Sequence, residues 1–166
     1  ARFATVPVVR VEKLDLSSPM PYATATLDGV TANLVLPYII NFEGVVGRNA
    51  LKRILQEIFR ILKPGGFFLW STPRKHVNFS IVALASWRSL FAPAHPEYRS
   101  YAWHILRHAR RIQTWGRRGV YHFLSLTELE TLLYEVGFRG LEFRTSLAGQ
   151  VYVVAGRKPN PRYRRR

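Results

Sequence analysis

The sequence predicts an α/β protein, and three observations support that prediction. Apolar, β-branched runs alternate along the chain with segments of helical periodicity. A strongly amphipathic segment is followed at once by a Pro-Gly-Gly break and a further apolar run. The last two strand-like runs are separated only by a short glycine-containing turn, which is typical of a hairpin. With 166 residues, the chain is long enough for one domain with a buried core.

Two strands are predicted in the first part of the chain. Val6–Leu14 is rich in β-branched residues and ends in a polar, proline-containing turn. Leu27–Leu36 is an apolar run of the kind that is buried on both faces in a parallel sheet. We therefore expect these two segments to begin the sheet.

The clearest helix is predicted over Arg48–Leu62, where apolar residues recur at helical spacing. Pro64–Gly66 ends it, and Phe67–Ser71 is then expected to form a short buried strand. The apolar face of the helix consists of Leu51, Ile54, Leu55, Ile58, Phe59 and Leu62.

A basic and aromatic insert follows over residues 74–122. Val77–Phe91 is almost entirely apolar, and the prolines at 93 and 96 interrupt the pattern. Tyr101–Ile112 predicts an amphipathic helix with histidine and arginine opposite its apolar stripe. That stripe consists of Ala102, Ile105, Ala109 and Ile112.

A last helix is predicted to begin at a capping box formed by Ser125 and Glu128. Gly137 is expected at its C-terminal cap. Leu141–Leu147 and Gln150–Ala155 are expected to form the closing hairpin. The helix side chains expected to face inward are Leu126, Leu129, Leu132, Leu133 and Val136.

The composition excludes several classes of site. The chain contains no cysteine, which removes disulfides, thiolate catalysis, cysteine-ligated zinc fingers and iron–sulfur clusters. The lack of cysteine also favours a reducing compartment. We therefore expect a cytoplasmic protein, with peripheral attachment to a membrane as a second option. No apolar run reaches the roughly 18 residues that are needed to span a bilayer.

The formal net charge of +15 is concentrated in two segments. Residues 74–118 hold nine basic residues and one acid, and residues 157–166 hold six basic residues and no acid. Both segments point to an anionic partner, either nucleic acid or an anionic membrane surface. Residues 157–166 have no apolar periodicity and are predicted to be a disordered tail. A purely solubilising tail would have the same composition.

Several short motifs occur in an order that is typical of one enzyme family. Leu14–Pro19 is a strand end with an aspartate before a proline-containing turn, and Leu27–Val30 reads Leu-Asp-Gly-Val. Ile61–Gly66 reads Ile-Leu-Lys-Pro-Gly-Gly, Leu124–Phe138 ends in Gly-Phe, and Ala155–Pro159 closes the last strand. In these motifs the chain resembles the C-terminal two-thirds of class I S-adenosylmethionine-dependent methyltransferases. The resemblance covers residues 1–159 apart from the insert.

The resemblance implies a Rossmann-like sheet, mostly parallel, with an antiparallel C-terminal strand. The family's glycine-rich loop after the first strand and the acid after its second strand do not occur in this sequence. We therefore expect a partial methyltransferase domain over residues 1–156 that lacks the first two strands and is inactive alone as a fragment. Alternatively, a partner chain or self-association completes the sheet, or the first predicted strand packs elsewhere.

The resemblance places S-adenosylmethionine at the carboxyl ends of the strands. It implies that the Asp15 carboxylate accepts a hydrogen bond from the adenine amino group and that the Leu16 backbone flanks the ring. Asn33 and Leu34 would line the methionine end. The residues alone allow other readings, because Asp15 also fits an Asx-type turn before Pro19. Asn33 equally fits a cap of the turn at the end of its strand.

Candidate catalytic residues are few, because methyl transfer from a sulfonium depends mainly on positioning. A general base is needed only for a poor nucleophile. Tyr38 and His122 are expected nearest the mouth of the cleft and are the weak candidates for that role. His104 and His108 have the i, i+4 spacing of metal ligands, but no third ligand accompanies them and we expect no metal site.

Three functions follow from these features. The first is methyl transfer to a small-molecule or lipid-like acceptor, with the insert as a substrate lid whose arginines and aromatics suit an anionic amphiphile. The second is methylation of nucleic acid, which the basic segments would favour. Asn33–Tyr38 does not match the Asn/Asp-Pro-Pro-Tyr/Phe motif of base amino-group methylation. The third is a non-enzymatic methyltransferase-like remnant or interaction module.

Overall fold

The computed structural model describes residues 11–85 and 97–161, and its largest element is a four-stranded sheet. A short 3-10 turn over Leu36–Tyr38 follows the first strand. The strands and helices in chain order are β1 Leu27–Asn33, β2 Asn41–Phe42, β3 Val45–Val46, α1 Arg48–Ile61, β4 Leu62–Pro73, α2 Phe79–Ala85, α3 Glu97–Arg117, α4 Leu126–Val136, β5 Arg139–Ser146 and β6 Val151–Arg157.

The sheet has the strand order β1-β4-β6-β5. β1 and β4 are parallel, with Asn33 opposite Ser71, whereas β6 is antiparallel to both β4 and β5. The α/β class and the antiparallel C-terminal strands are therefore confirmed. Because β1 and β4 run in the same direction, their carboxyl ends meet at one edge of the sheet, which we call the carboxyl edge. The opposite edge, where β4 begins and β6 ends, is the amino edge.

The core lies on the face of the sheet that α1 and α4 cover. Phe68 and Trp70 of β4 are buried there, and Phe68 stacks on Phe138 with ring centroids 5.3 Å apart. Burying an apolar side chain such as Phe, Leu or Ile completely contributes roughly 1.5–3 kcal/mol. The buried residues of α1 are Ala50, Leu51, Ile54, Leu55, Ile58 and Ile61.

Both predicted helices that border this core are confirmed. α1 ends at Ile61 rather than Leu62, because Leu62 already has extended backbone angles and opens β4. The capping box of α4 is present, with Glu128 N–H donating to Ser125 Oγ at 3.3 Å and Ser125 N–H donating to Glu128 Oε2 at 2.8 Å. Gly137 caps α4 with φ +117°, a value that favours glycine. Leu126 is an exception, since it is 40% exposed and does not face inward.

The predicted first strand is wrong over its described part. Val11–Leu14 forms no strand, while residues 6–10 lie outside the described residues. The predicted strand Leu27–Leu36 ends early, at Asn33, because Leu34 turns into the left-handed region with φ +52°. β4 is longer than Phe67–Ser71, since residues 62–66 and 72–73 also pair with neighbouring strands or continue the strand.

The insert contains two helices, as its patterns suggest. α3 extends the predicted Tyr101–Ile112 helix at both ends, and α2 occupies part of the apolar run Val77–Phe91, of which residues 86–91 fall outside the description. No helix in the described ranges is both long and apolar enough to cross a bilayer.

The first residues of the predicted disordered tail instead belong to the sheet. β6 continues to Arg157, and Lys158 Nζ donates hydrogen bonds to the carbonyl oxygens of Phe59 at 2.7 Å and Leu62 at 2.8 Å. This lysine therefore ties the chain to the end of α1. Residues 162–166 lie outside the description.

Candidate functional site

The carboxyl ends of β1 and β4 are joined by a small polar network. The Leu34 N–H donates to the Ser71 carbonyl oxygen at 3.1 Å and to Ser71 Oγ at 3.0 Å. Ser71 Oγ in turn donates to Asn33 Oδ1. Leu34 holds a left-handed φ of +52°, which is unfavourable for a leucine. The network and the strained residue fix the point where the chain leaves the sheet.

Asp15 lies in the loop before β1 and forms the Asx-type turn that its sequence allows. Its Oδ1 accepts hydrogen bonds from the Ser17 N–H at 2.9 Å and from Ser17 Oγ at 2.8 Å. These bonds hold the pKa of Asp15 below its ordinary value, so the exposed carboxylate is ionised near neutral pH. The Ser17 carbonyl accepts from the Glu43 N–H at 2.9 Å, which attaches this turn to the β2–β3 hairpin.

His122 is buried beside the 3-10 turn that follows β1. Its backbone N–H donates to the Pro37 carbonyl at 2.9 Å, and its Nε2 lies 3.2 Å from the Ile39 carbonyl oxygen. A carbonyl can only accept, so Nε2 carries the proton and Nδ1 keeps a lone pair. Burial lowers the pKa of His122, so the imidazole is neutral at physiological pH.

Four aromatic rings, Tyr38, Trp115, Tyr121 and Phe123, form what we call the aromatic wall. Tyr38 meets Tyr121 edge-on at 4.8 Å between ring centroids and Phe123 at 5.9 Å, and Trp115 lies 5.6 Å from Tyr121. Burial and the neighbouring Tyr121 raise the pKa of Tyr38, so its hydroxyl stays protonated. A Cβ on Gly116 would overlap the Phe123 ring, so glycine lets α3 approach the wall.

The structure brings some of the predicted site residues together and leaves others apart. His122 bonds to the carbonyl oxygens of Pro37 and Ile39, on either side of Tyr38. Asn33 and Leu34 both form hydrogen bonds with Ser71. Asp15 and Leu16 sit on a separate loop, and no hydrogen bond within the described residues joins that loop to Asn33 or Leu34.

Sequence reasoning missed Ser71 and Phe123, and it treated Trp115 only as one of the aromatic residues of the insert. Ser71 is a polar residue where a buried strand ends beside β1, which is the same signal that singled out Asn33. Trp115 is four residues after Arg111, whose guanidinium lies 4.7 Å from the Trp115 ring centroid.

The remaining histidines of the described chain form no site. His76 and His108 are exposed, whereas the side chains of His95 and His104 lie outside the description. In the described ranges, no three His, Cys, Asp or Glu side chains are grouped so that they could hold a metal ion.

The residues at the carboxyl edge partly fit S-adenosylmethionine. Asp15 Oδ2 accepts no hydrogen bond from the described residues, so it can accept one from an adenine amino group. The Asn33 side-chain amide keeps its donor hydrogens, because only its Oδ1 is used by Ser71. Asn33 lies at the end of β1, where ligands of open α/β sheets bind, whereas Asp15 lies on a separate loop.

Solved structures with a similar fold include several methyltransferases. The chain is similar to a possible histamine N-methyltransferase from Thermotoga maritima, with 16% identity, a TM-score of 0.51, and coverage of 90% of this chain and 64% of that chain. Human N-acetylserotonin methyltransferase, solved with S-adenosylmethionine, has 17% identity, a TM-score of 0.51, and coverage of 90% and 33%. A putative methyltransferase from Haloferax volcanii, solved with the Trm112 activator, has 14% identity, a TM-score of 0.50, and coverage of 89% and 60%.

The chain spans 33% to 64% of the length of these three structures, and at such identities the likeness shows the fold alone. No curated protein matches the chain significantly. The profile of a methyltransferase domain family, however, matches residues 7–142, which is most of the sequence. The chain therefore belongs to this methyltransferase domain family.

Proposed function

We propose that the protein transfers a methyl group from S-adenosylmethionine to a small-molecule or lipid-like acceptor at the carboxyl edge. One observation carries this proposal: the segment 33–39 connects the polar strand ends directly to the aromatic wall. Asn33 and Leu34 begin that segment, and the Tyr38 ring near its end lies 4.8 Å from the Tyr121 ring, measured between centroids. A cofactor on one side and an apolar acceptor on the other would thus share one short loop.

On the cofactor side, four residues would hold S-adenosylmethionine. The Asp15 carboxylate would accept the adenine amino group, with the Leu16 backbone beside the ring, and Asn33 and Leu34 would line the methionine end. The bound cofactor supplies the methyl group, and its positively charged sulfur becomes a neutral thioether, which is the leaving group. The protein's main task is then to fix the distance and angle of the acceptor, since the leaving group is already activated.

On the acceptor side, His122 and Tyr38 can assist a weak nucleophile. His122 Nδ1 is an unprotonated acceptor that can take a proton from a hydroxyl or amine. The Ile39 carbonyl holds the ring in that tautomer by its contact with Nε2 at 3.2 Å. The Tyr38 hydroxyl can donate a hydrogen bond to the acceptor, because its raised pKa keeps it protonated.

The aromatic wall favours an apolar or planar acceptor over a fully polar one. Stacked and edge-on ring contacts recognise flat, weakly polar groups. Arg111, whose guanidinium covers Trp115 at one end of the wall, suits an acceptor that also carries a negative charge. Two of the similar structures are named as a histamine and an N-acetylserotonin methyltransferase, and both names describe small molecules with a ring.

Because the sequence leads us to expect that the chain is inactive alone, a partner chain or a second copy that pairs with β1 would be required for activity. Within the described residues β1 pairs with β4 and with no other strand. The similar Haloferax volcanii methyltransferase is solved with an activator protein, which supports testing activity with and without such a partner.

The test is transfer of labelled methyl groups from S-adenosylmethionine to three acceptor sets: ring-containing amines and phenols, extracted lipids, and RNA and DNA. We expect transfer to one of the first two sets. Tyr38→Phe and His122→Phe should each lower kcat/KM about tenfold or more, the loss expected for one proton transfer or catalytic hydrogen bond. Tyr134→Phe is the matched control, since Tyr134 is exposed on α4.

Two other outcomes would replace this proposal. Transfer to nucleic acid alone would establish the second reading, a nucleic-acid methyltransferase. Absence of cofactor binding, together with no transfer to any acceptor set, would favour a non-enzymatic remnant.

A further inference from the structure

The C-terminal half of α3 carries arginine on one side only. Four arginines of this half, Arg107, Arg110, Arg111 and Arg117, and Arg118 directly after the helix, are all exposed. At 100° per residue they fall within an arc of about 120° around the helix axis. The one other residue in that arc is Thr114, which is also exposed. We call this surface the arginine face.

The opposite side of the same helix packs against the body of the protein. Gly116 lies against the Phe123 ring, and Ile112 and Trp115 are half-buried. Because the helix is anchored on that side, the arginine face is directed to solvent. Its orientation is fixed by the same contacts that form the aromatic wall.

The positive charge of the arginine face is not neutralised by nearby acids. The sequence from residue 98 to residue 127 contains no Asp or Glu. No ion pair to these five arginines occurs within the described residues. Elsewhere the protein does pair its cations, as Arg60 does with Glu57 at 2.6 Å and Lys75 with Glu128 at 2.9 Å. An external anionic surface would therefore complement the arginine face.

Exposed aliphatic side chains occur just after the last arginine and in the loop that contacts that segment. Val120 follows the last arginine by two residues and is 40% exposed. Val35 and Ile40 flank the 3-10 turn and are 37% and 47% exposed. The two segments adjoin, since the His122 N–H donates to the Pro37 carbonyl and Tyr121 contacts Tyr38. We call Val35, Ile40 and Val120 the aliphatic rim.

We propose that the arginine face and the aliphatic rim dock the protein on an anionic lipid bilayer. Arginines bind lipid phosphates and carboxylates through paired N–H donors, and the rim enters the boundary of the acyl chains. Nucleic acid would use the arginines but would leave three exposed aliphatic residues without a function. If the proposed function holds, docking would keep the protein at the surface where a lipid-like acceptor is found.

The test is co-sedimentation of the purified protein with vesicles, without cofactor or acceptor, so that it does not depend on methyl transfer. We expect binding to phosphatidylcholine–phosphatidylserine vesicles and little binding to phosphatidylcholine alone. Each arginine near such a surface contributes about a fivefold gain in affinity. The double substitution Arg110→Gln and Arg117→Gln should therefore weaken binding about thirtyfold.

The matched control is the double substitution Arg53→Gln and Arg144→Gln, which removes the same charge from exposed sites on α1 and β5. It should weaken binding only a few-fold, through net charge. Val120→Ser should weaken binding severalfold, because a smaller apolar surface enters the bilayer. Unchanged thermal unfolding of each variant verifies the fold.

Several results would overturn the proposal. An equal loss in the two double variants would mean that net charge, not the arginine face, causes binding. Absence of binding to anionic vesicles would exclude the docking surface, whether or not the protein transfers methyl groups. Binding of an RNA or DNA oligonucleotide through Arg110 and Arg117, without vesicle binding, would assign the arginine face to nucleic acid.

Discussion

The two edges of the sheet both contain polar groups, but they use them differently. At the amino edge, Lys158 Nζ donates to the Phe59 and Leu62 carbonyls and lies 4.7 Å from the Phe59 ring centroid. The Lys158 carbonyl oxygen also accepts from the Gly65 N–H at 2.8 Å, and the Lys158 N–H donates to the Gly66 carbonyl oxygen at 2.9 Å. These bonds close the last turn of α1 onto the sheet.

At the carboxyl edge, the polar groups are only partly used by the protein itself. The Asn33 amide hydrogens and, beside the 3-10 turn, His122 Nδ1 have no hydrogen-bond partner in the described part of the chain. Leu34 keeps an unfavourable backbone conformation at the same place. Unused donors and acceptors together with local strain are typical of ligand sites, whereas fully used groups are typical of structural ones. The comparison therefore separates residues that stabilise the fold from residues available to a ligand.

The largest effect is expected at the amino edge. Lys158→Met should lower the free energy of unfolding by about 2–3 kcal/mol, because it removes charge-assisted hydrogen bonds to the Phe59 and Leu62 carbonyl oxygens. Urea unfolding measures this difference. Lys63→Met is the matched control at the same edge, since Lys63 pairs with an Asp28 side chain that is 83% exposed. That exposed pair should be worth less than about 1 kcal/mol. Equal losses in both variants would contradict the special role of Lys158.

A smaller effect is expected from His122 at the carboxyl edge, and it depends on pH. Burial lowers the pKa of His122 below its ordinary value of 6.5, so the unfolded chain binds a proton that the folded chain does not. The stabilisation is thus fully present above pH 6.5 and is lost as the pH falls through the lowered pKa.

The measurement is the unfolding midpoint from about pH 8 to pH 5. His122→Gln, which can still donate to the Ile39 carbonyl, should reduce the decline of stability on the acid side. His108→Gln serves as the control because His108 is exposed. A decline that is identical in wild type and His122→Gln would refute the assignment.

The smallest effect on the free energy of unfolding is expected from two strained residues, one at each end of β1. Ala25 has φ +58° before β1 and Leu34 has φ +52° after it. Ala25→Gly should raise the free energy of unfolding by about 0.5–1 kcal/mol, because glycine adopts this conformation without strain. It should leave cofactor affinity unchanged. Leu34→Gly should weaken cofactor binding, as measured by calorimetry, since it loosens the strand end. If Ala25→Gly weakens cofactor binding as much as Leu34→Gly does, the strain at Leu34 has no special role in binding.

The sequence predicts the covered face of the sheet well. The periodicity of α1, the capping box at Ser125 and the hairpin all occur as the patterns indicate, because local propensity and burial agree there. The Val11–Leu14 prediction fails because β-branched composition alone does not supply a neighbouring strand with which to pair. The early end of β1 was also not predictable, since nothing in Asn33-Leu34 signals a left-handed leucine.

The candidate site was predictable in its parts but not in its connections. The polar residues at strand ends and the two cleft residues follow from topology and resemblance. The contacts of His122 with Pro37 and Ile39, however, join segments more than 80 residues apart, and no local pattern encodes them. The arginine face could not be predicted from composition, which shows an excess of charge but not where the side chains point. Their direction follows from the helix and from its packing at Gly116.

The most direct test of the central claim is calorimetric titration of the protein with S-adenosylhomocysteine. We predict micromolar binding for the wild type, about tenfold weaker binding for Asn33→Ala, which loses a hydrogen bond to the charged end of the ligand, and unchanged binding for Asn49→Ala on the exposed side of α1. Equal affinities in all three proteins, or no binding heat in the wild type, would contradict a cofactor site at the carboxyl edge.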